Sequence, residues 1–341
     1  MPDEERPGVP SVMRGVLLPS FGDMGVLRLE EIAIPEPGPR DVLMRVHAAS
    51  VNPRDWMIRA GTYPFRRTLP SRPFILGSDV AGVVVRTGSK VEGFLPGDEV
   101  LAMVPTSYGF GGYAEYVAVP AKALASKPSS VGFAAAAALP LAGLTALQAI
   151  RDRGRMRLGH RVVVVGASGG VGHYGVQIAK ALGASTVVAV CSQDNASWVQ
   201  DLGADRIVDY RSQPFPAALE DDEPFDLIFD SIGRHSLSTC RKIMSPRAAY
   251  VTTVPTPRIL LDAVRTSVWP WGRTARIVLV ASRGRDLGQL TSWMESGDLK
   301  SVIDHTAPLD GYAELLGHSR SLRTRGKNVF LVAEFHGTRT E

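Results

Sequence analysis

The run Gly166, Ala167, Ser168, Gly169, Gly170, Val171, Gly172 is where residue type and spacing most directly imply chemistry. It follows without a break on the apolar run RVVVV and leads into a segment with apolar residues at Val176, Ala179 and Leu182, so the order reads strand, glycine turn, helix. Such a turn cradles a pyrophosphate. Glycines permit the tight reversal, let backbone approach the anion with no Cβ in the way, and let the helix pack on the strand, while the helix N-terminus offers N–H groups that lack partners. The spacing is G-x-x-G-x-x-G, because Ala167 stands where the first glycine of the stricter pattern belongs and Gly166 precedes it. Taken alone, these residues also fit a glycine-rich turn that binds nothing.

A dinucleotide loop is followed, about 20 residues on, by the end of a second strand, where a carboxylate would bond a ribose 2′-OH and repel a 2′-phosphate. Here the run TVVAVCS ends in Cys191 and Ser192, with Asn195 next. Ser192 and Asn195 can donate to a phosphate, and Tyr210 and Arg211 after the third strand add a stacking ring and a positive charge, which favours NADPH as cofactor. Asp194 counts the other way unless it caps the helix starting near Asn195, which is the expectation adopted.

The elements around this loop divide the chain. From Met13 to about Val119, short β-like runs (VLMRVHAAS, DVAGVVVRTG, DEVLAMV, YAEYVAV) alternate with Pro and Gly turns, which predicts an all-β unit with a curled or barrel-like sheet. After Pro128, strands alternate with helices, which predicts parallel βαβ units and a doubly wound sheet of the α/β class. Beyond about Pro257 the reading is a helix, the strand RIVLVAS, a helix through DLGQLTSWMESG and a last strand NVFLVAEF, a tail expected to return to the first domain. The expected boundaries are a frayed tail over 1–12, the first part of the catalytic domain over 13–127, the nucleotide domain over 128–257, the return over 258–335 and a polar tail over 336–341.

With 341 residues, 45% of them hydrophobic and 21% charged, the chain can bury a core in each of two domains, which excludes disordered and fibrous classes. A net charge of +4 with basic residues scattered among acidic ones argues against nucleic acid as the main partner. The apolar run Val131 to Ile150 is interrupted by Gly132, Pro140, Gly143 and Gln148, and the expectation is a cytoplasmic protein with no membrane partner. Only Cys191 and Cys240 are present, and both read as small buried hydrophobes. His47, His173, His235, His305 and His318 show no ligand spacing and read as surface or capping residues. The cluster Trp269, Pro270, Trp271 is either a wall for an aromatic or lipid-like substrate or ordinary packing.

Several further segments accompany the glycine loop: AASVNPRDWMIRAGTYP (Ala48 to Pro64), PFILGSDVAGVV (Pro73 to Val84), LPGDEV, GGYAEYVAVP, LPLAGLTALQA, LGADRIVDY and ESGDLKSVID. With them the chain resembles the medium-chain dehydrogenase/reductase superfamily over nearly its whole length, and most closely its zinc-independent quinone oxidoreductase and enoyl reductase branch. The resemblance implies a GroES-like β domain, a Rossmann cofactor domain, an active site in the cleft between them and a homodimer. It also implies what is missing. Relatives that are alcohol dehydrogenases hold a catalytic zinc with Cys and His, whereas here the His-Glu expected after Gly77 is Ser78-Asp79, VNPRD lacks the first cysteine, and no cysteine precedes Cys191. A catalytic zinc is therefore excluded on ligand count.

Carried over from the same family, Asn52, Pro53, Asp55, Gly61 and Tyr63 match the segment in which enoyl reductases place a proton-donating tyrosine. Tyr63 is either that donor or an aromatic wall of the pocket, and Asn52 is expected to hydrogen-bond the nicotinamide side or the substrate. Thr145 is expected near the nicotinamide phosphate, Ser231 and Gly233 along the ribose, and Val254 and Asn328 at the carboxamide end. The implied activity is hydride transfer from NADPH to a quinone or an α,β-unsaturated carbonyl compound. The alternatives are a biosynthetic enoyl reductase or reductive cyclase acting on a polyketide-like substrate, a non-catalytic NADPH-binding sensor or scaffold, and, most remotely, a zinc alcohol dehydrogenase.

Overall fold

The structure is a computed structural model that describes residues 9–109, 111–268 and 271–332. It falls into two compact units. The first takes the chain up to Leu141, Ser282–Thr291 and the chain from Ile303 onward; the second takes Ala142–Ala281 and Ser292–Val302. The tails expected over 1–12 and 336–341 lie outside the described residues except for 9–12, and Val12 already opens a strand.

In the first unit, β1 (Val12–Leu18) pairs antiparallel with β2 (Arg28–Ala33), and a larger sheet is built on β3 (Asp41–Ser50). The short β4 (Phe74–Ile75) pairs with β1, while β5 (Asp79–Thr87), β6 (Glu99–Met103), β7 (Tyr116–Pro120) and β8 (Leu124–Ser126) continue the larger sheet antiparallel. Val42, Leu43, Met44, Val46, Ala48 and Ala49 of β3 are all buried, so this strand is covered on both faces and carries the unit's core. The all-β reading of Met13 to about Val119 omits the helix Pro53–Arg59, and the reading of the tail omits the helix Tyr312–Arg320.

In the second unit, six parallel strands form one sheet: β9 (Arg161–Val165), β10 (Thr186–Cys191), β11 (Arg206–Asp209), β12 (Phe225–Asp230), β13 (Met244–Thr252) and β14 (Thr274–Ile277). The order β11-β10-β9-β12-β13-β14 reverses direction beside β9, the point at which open α/β sheets bind ligands at the carboxyl ends of their strands. Val162, Val163 and Val164 of β9 are fully buried, as a central parallel strand requires.

One expectation is corrected here. The tail beyond Pro257 was read as leaving the nucleotide sheet, yet β14 pairs with β13 over Ala249–Thr252 and becomes its sixth strand. The physical reason is the helix Pro257–Val268, which supplies the dozen or so residues that a crossover between parallel strands needs. The chain rejoins the first sheet with β15 (Ile303–Pro308), parallel to β16 (Lys327–Leu331), which itself pairs antiparallel with β3. Of the tryptophan cluster, Trp269 and Pro270 lie outside the described residues, and Trp271 is 80% exposed and not part of a core.

Candidate active site and cofactor loop

In the second unit the loop after β9 turns at Gly166, whose φ of +77° lies in the left-handed region. A Cβ on Gly172 would overlap the carbonyl oxygen of Gly166, so the backbone of the loop passes directly over the first turn of the helix Gly172–Ala181, and only glycine fits. Ser168, Gly169, Gly170 and Val171 stay partly exposed, and Val171 is the helix N-cap with no side-chain cap, which leaves the amide end of the helix open toward an anion. The Gly169 amide bonds the Gly166 carbonyl at 2.9 Å, which closes the turn.

His173 was read as a surface or capping residue, and the structure corrects this. It is fully buried, with Nδ1 3.0 Å from the Gly169 carbonyl and Nε2 3.4 Å from the Val302 amide. Those partners fix the neutral tautomer with the proton on Nδ1, so the ring ties the glycine loop to the segment Ser292–Val302. Gln177 reinforces the tie by bonding both the carbonyl and the amide of Lys300, at 3.0 and 2.8 Å.

Ser231, Gly233 and Val254 gather beside the loop. A Cβ on Gly166 would meet Ser231 Oγ at 2.7 Å, and one on Gly233 would overlap the Val254 side chain. Their positions are set by Asp230 at the end of β12, which the sequence reading missed. Its buried carboxylate accepts the amides of Ile232 and Gly233, each at 2.8 Å, and the Tyr250 hydroxyl at 2.7 Å. Burial beside that carboxylate pushes the Tyr250 hydroxyl far above the usual phenol range. Thr145 is buried in a separate element, the helix Pro140–Leu147.

At the ends of β10 and β11, Asn195 bridges Ser192 and Trp198, donating to Ser192 Oγ at 3.0 Å and accepting from the indole at 3.1 Å. Asp194 does not cap a helix as expected. It forms an ion pair with Arg211 at 2.7 Å, on a turn where Tyr210 is half exposed beneath the same guanidinium. Opposite charges beyond the ends of the adjacent strands β10 and β11 made this pair available, and a short helix starting only at Ala196 with no side-chain cap left the carboxylate free to turn outward. Burial pushes the Cys191 thiol up to about 11 and the Cys240 thiol up to about 12, which leaves both protonated and unreactive at neutral pH.

In the first unit, Asn52 is the N-cap of the helix Pro53–Arg59. Pro53 takes the first helical position and the Asp55 carboxylate accepts the Asn52 amide at 2.8 Å. The Asn52 side chain, expected to face nicotinamide or substrate, is committed inside the protein: Nδ2 donates to Asp79 at 2.9 Å and Oδ1 accepts from Lys327 at 2.6 Å. Lys327 also reaches the Val51 carbonyl at 3.1 Å and Asp79 at 3.5 Å, so all three ammonium protons have acceptors although the side chain is buried. Asp79 in turn accepts from Ser50 Oγ at 2.9 Å and from the Leu141 amide at 2.8 Å.

Burial pulls the Lys327 ammonium below the usual lysine range and raises the Asp55 carboxyl, against which the Tyr113 hydroxyl is held at 2.6 Å. Lys327 and Tyr113 were missed by the sequence reading. A lysine opening the apolar run KNVFLV was the available signal, since a lysine in a central strand must carry a partner.

Tyr63 is partly buried against the core, with its ring edge-on to Phe65 at 5.8 Å. Among the described residues nothing hydrogen-bonds its hydroxyl. Asn328 is buried, with Nδ2 3.4 Å from Thr324 Oγ1 and, among the described residues, no partner for Oδ1.

Residues 38–129 match the model of the alcohol dehydrogenase GroES-like domain, and residues 202–330 that of the zinc-binding dehydrogenases. Over 93% of its length the chain is 35% identical to a chloroplastic quinone oxidoreductase of Triphysaria versicolor, of which it covers 98%. It is 36% identical, over 88% of its length and 74% of the relative's, to a chloroplastic NADPH-dependent alkenal/one oxidoreductase of Arabidopsis thaliana. The solved quinone oxidoreductase of Coxiella burnetii superimposes with a TM-score of 0.84 at 28% identity, covering 94% of this chain and all of that one. The glycine loop, the strand order and these matches agree, and the chain belongs to the medium-chain dehydrogenase/reductase superfamily as an NAD(P)H-dependent oxidoreductase related to the quinone oxidoreductases.

Proposed function

We infer that the protein uses NADPH to reduce quinones or α,β-unsaturated carbonyl compounds, and that it does so without a catalytic zinc. The observation that carries this reading is the buried contact of Lys327 with Asp79. Asp79 follows Ser78 at the place where zinc-dependent relatives carry His-Glu, and its charge is answered by an internal ammonium. A dication beside that ammonium would face direct repulsion with no thiolate or imidazole to hold it. An enone or quinone delocalises incoming negative charge into its own oxygens, so no Lewis acid is required.

The residues present fit a bound dinucleotide. The cradle at Gly166 and Gly172 has no space for a Cβ, and the helix end behind Ser168 to Val171 is open. When bound, NADPH supplies the hydride. Ser192, Asn195, Tyr210 and Arg211 would meet the 2′-phosphate. The pairing of Asp194 with Arg211 supports NADPH over NADH, since it neutralises a carboxylate that would repel that phosphate. In the second unit, Thr145, Ser231, Gly233 and Val254 would line the remainder of the cofactor. Asn52 acts as a positioning residue that holds Lys327 and Asp79 in register, and Tyr63 holds a proton for the substrate. The unbonded Tyr63 hydroxyl favours the enone arm, where a carbon must be protonated.

We also infer a homodimer. Leu260, Leu261, Val264 and Val268 recur along one side of the helix Pro257–Val268 and are 47–76% exposed, an apolar stripe that a second copy would cover. Among the described residues no helix is long and apolar enough to cross a membrane.

The test is steady-state oxidation of NADPH and of NADH against a panel of quinones, enones, 2-enals and enoyl thioesters. NADPH should support turnover of at least one class at a kcat/KM well above that with NADH. Absence of turnover on every class, with NADPH still bound, would identify a binding protein instead.

A further inference from the structure

We propose that Asp304, His305 and His318 form a binding site for one divalent first-row transition-metal ion, such as Zn2+, Co2+ or Ni2+, outside the catalytic machinery. Among the described residues this is the one group of His, Cys, Asp and Glu side chains gathered like metal ligands, with the three ligand atoms all within 4.8 Å of one another. Asp304 Oδ2 lies 2.8 Å from His318 Nε2 and 3.3 Å from His305 Nδ1. Ligands bonded at about 2.1 Å around a tetrahedral ion sit ~3.4 Å apart, so the His305 edge already fits and the His318 edge opens by a few tenths of an ångström.

The local fold accounts for the arrangement. Neighbouring residues of a strand face opposite ways, but the pairing of β15 with β16 shifts register between Ile303 and His305, a bulge that brings Asp304 and His305 to one side. There they meet His318 in the last turn of the helix Tyr312–Arg320. The two imidazoles lie with centroids 4.0 Å apart, so both rings face the one carboxylate. The Arg325 amide donates to the same Asp304 Oδ2 at 3.1 Å and fixes the carboxylate's orientation. Two imidazoles and one carboxylate select borderline transition ions over Mg2+ and Ca2+, which prefer all-oxygen sites. The His305 side chain is 52% exposed and that of His318 28%, so an ion enters from solvent without opening the core.

The experiment is a Zn2+ titration of the full chain, stripped with a chelator and desalted, read by competition with a chromophoric chelator and by thermal unfolding. The wild type should take up a single equivalent and unfold at higher temperature with Zn2+. His318→Ala and His305→Ala should each weaken binding by about tenfold or more and abolish the thermal shift. His160→Ala, at an unrelated, partly exposed histidine, should leave both unchanged. Equal Zn2+ uptake in the wild type and both variants, or none in the wild type, would overturn the assignment. Oxidoreductase activity is not a readout here, so the result stands apart from the proposed reaction.

Discussion

A phenol without a hydrogen-bond partner can protonate the carbon of an enolate, a step that quinone reduction does not require. Tyr63→Phe should therefore lower kcat/KM on enones by roughly 100-fold while leaving quinones nearly unchanged, as measured by steady-state kinetics on both classes. Equal effects on both classes would make the ring a wall. At Lys327 the issue is burial. Lys327→Met leaves the Asp79 carboxylate uncompensated in the core and should cost about 3–5 kcal/mol in urea unfolding, with part recovered in the double variant with Asp79→Asn. Both residues show what one sequence can and cannot reveal. Tyr63 sits in a local segment whose spacing is readable. Lys327 answers an aspartate on a strand far earlier in the chain, and nothing in the spacing names that partner. The reading of Asp194 as a helix cap failed for the same reason, since its partner Arg211 lies beyond the next strand and nothing local names it.

For elements, the glycine loop and its helix were the most legible feature, because the constraint is local: a strand must reverse over a helix end, and Cβ atoms do not fit. Gly172→Ala should weaken NADPH binding by about tenfold or more in a fluorescence titration, since the added methyl must push the helix away from the Gly166 carbonyl. The sixth strand of the nucleotide sheet was not legible, because strand order depends on a crossover path that the apolar pattern of Thr274–Ile277 does not encode. The edge of that sheet also carries a pH dependence. Asp205 accepts Lys180 Nζ at 2.9 Å and the Val187 amide at 2.7 Å. Burial alone would raise its carboxyl, but these bonds outweigh it and hold the folded value below the ordinary 3.8. Stability from Asp205 is thus present above that value and lost as pH falls through the lower folded one. Asp205→Asn should cost about 1 kcal/mol at neutral pH, and the difference in thermal unfolding should vanish in strong acid.

For the whole molecule, the two-unit organisation was anticipated by the change of texture near Pro128, because period-2 runs and strand-helix alternation are long-range patterns that single substitutions do not hide. The gathering of Asp304, His305 and His318 was invisible at that scale, since a bulge and a helix bring them together and their spacing matches no metal motif. The exposed stripe on Pro257–Val268 has a direct consequence: the joint variant Val264→Glu, Val268→Glu should shift a dimer to monomer in sedimentation velocity without loss of fold. What joins these observations is hydride transfer from NADPH to a conjugated acceptor, and isotopic labelling measures it most directly. The protein would be incubated with an enone and NADPH deuterated at the transferring position of the nicotinamide, and the product analysed by mass spectrometry and NMR. The account predicts one deuterium at the β-carbon and a solvent-derived proton at the α-carbon. Turnover with no deuterium in the product, or none with any conjugated acceptor, would contradict it.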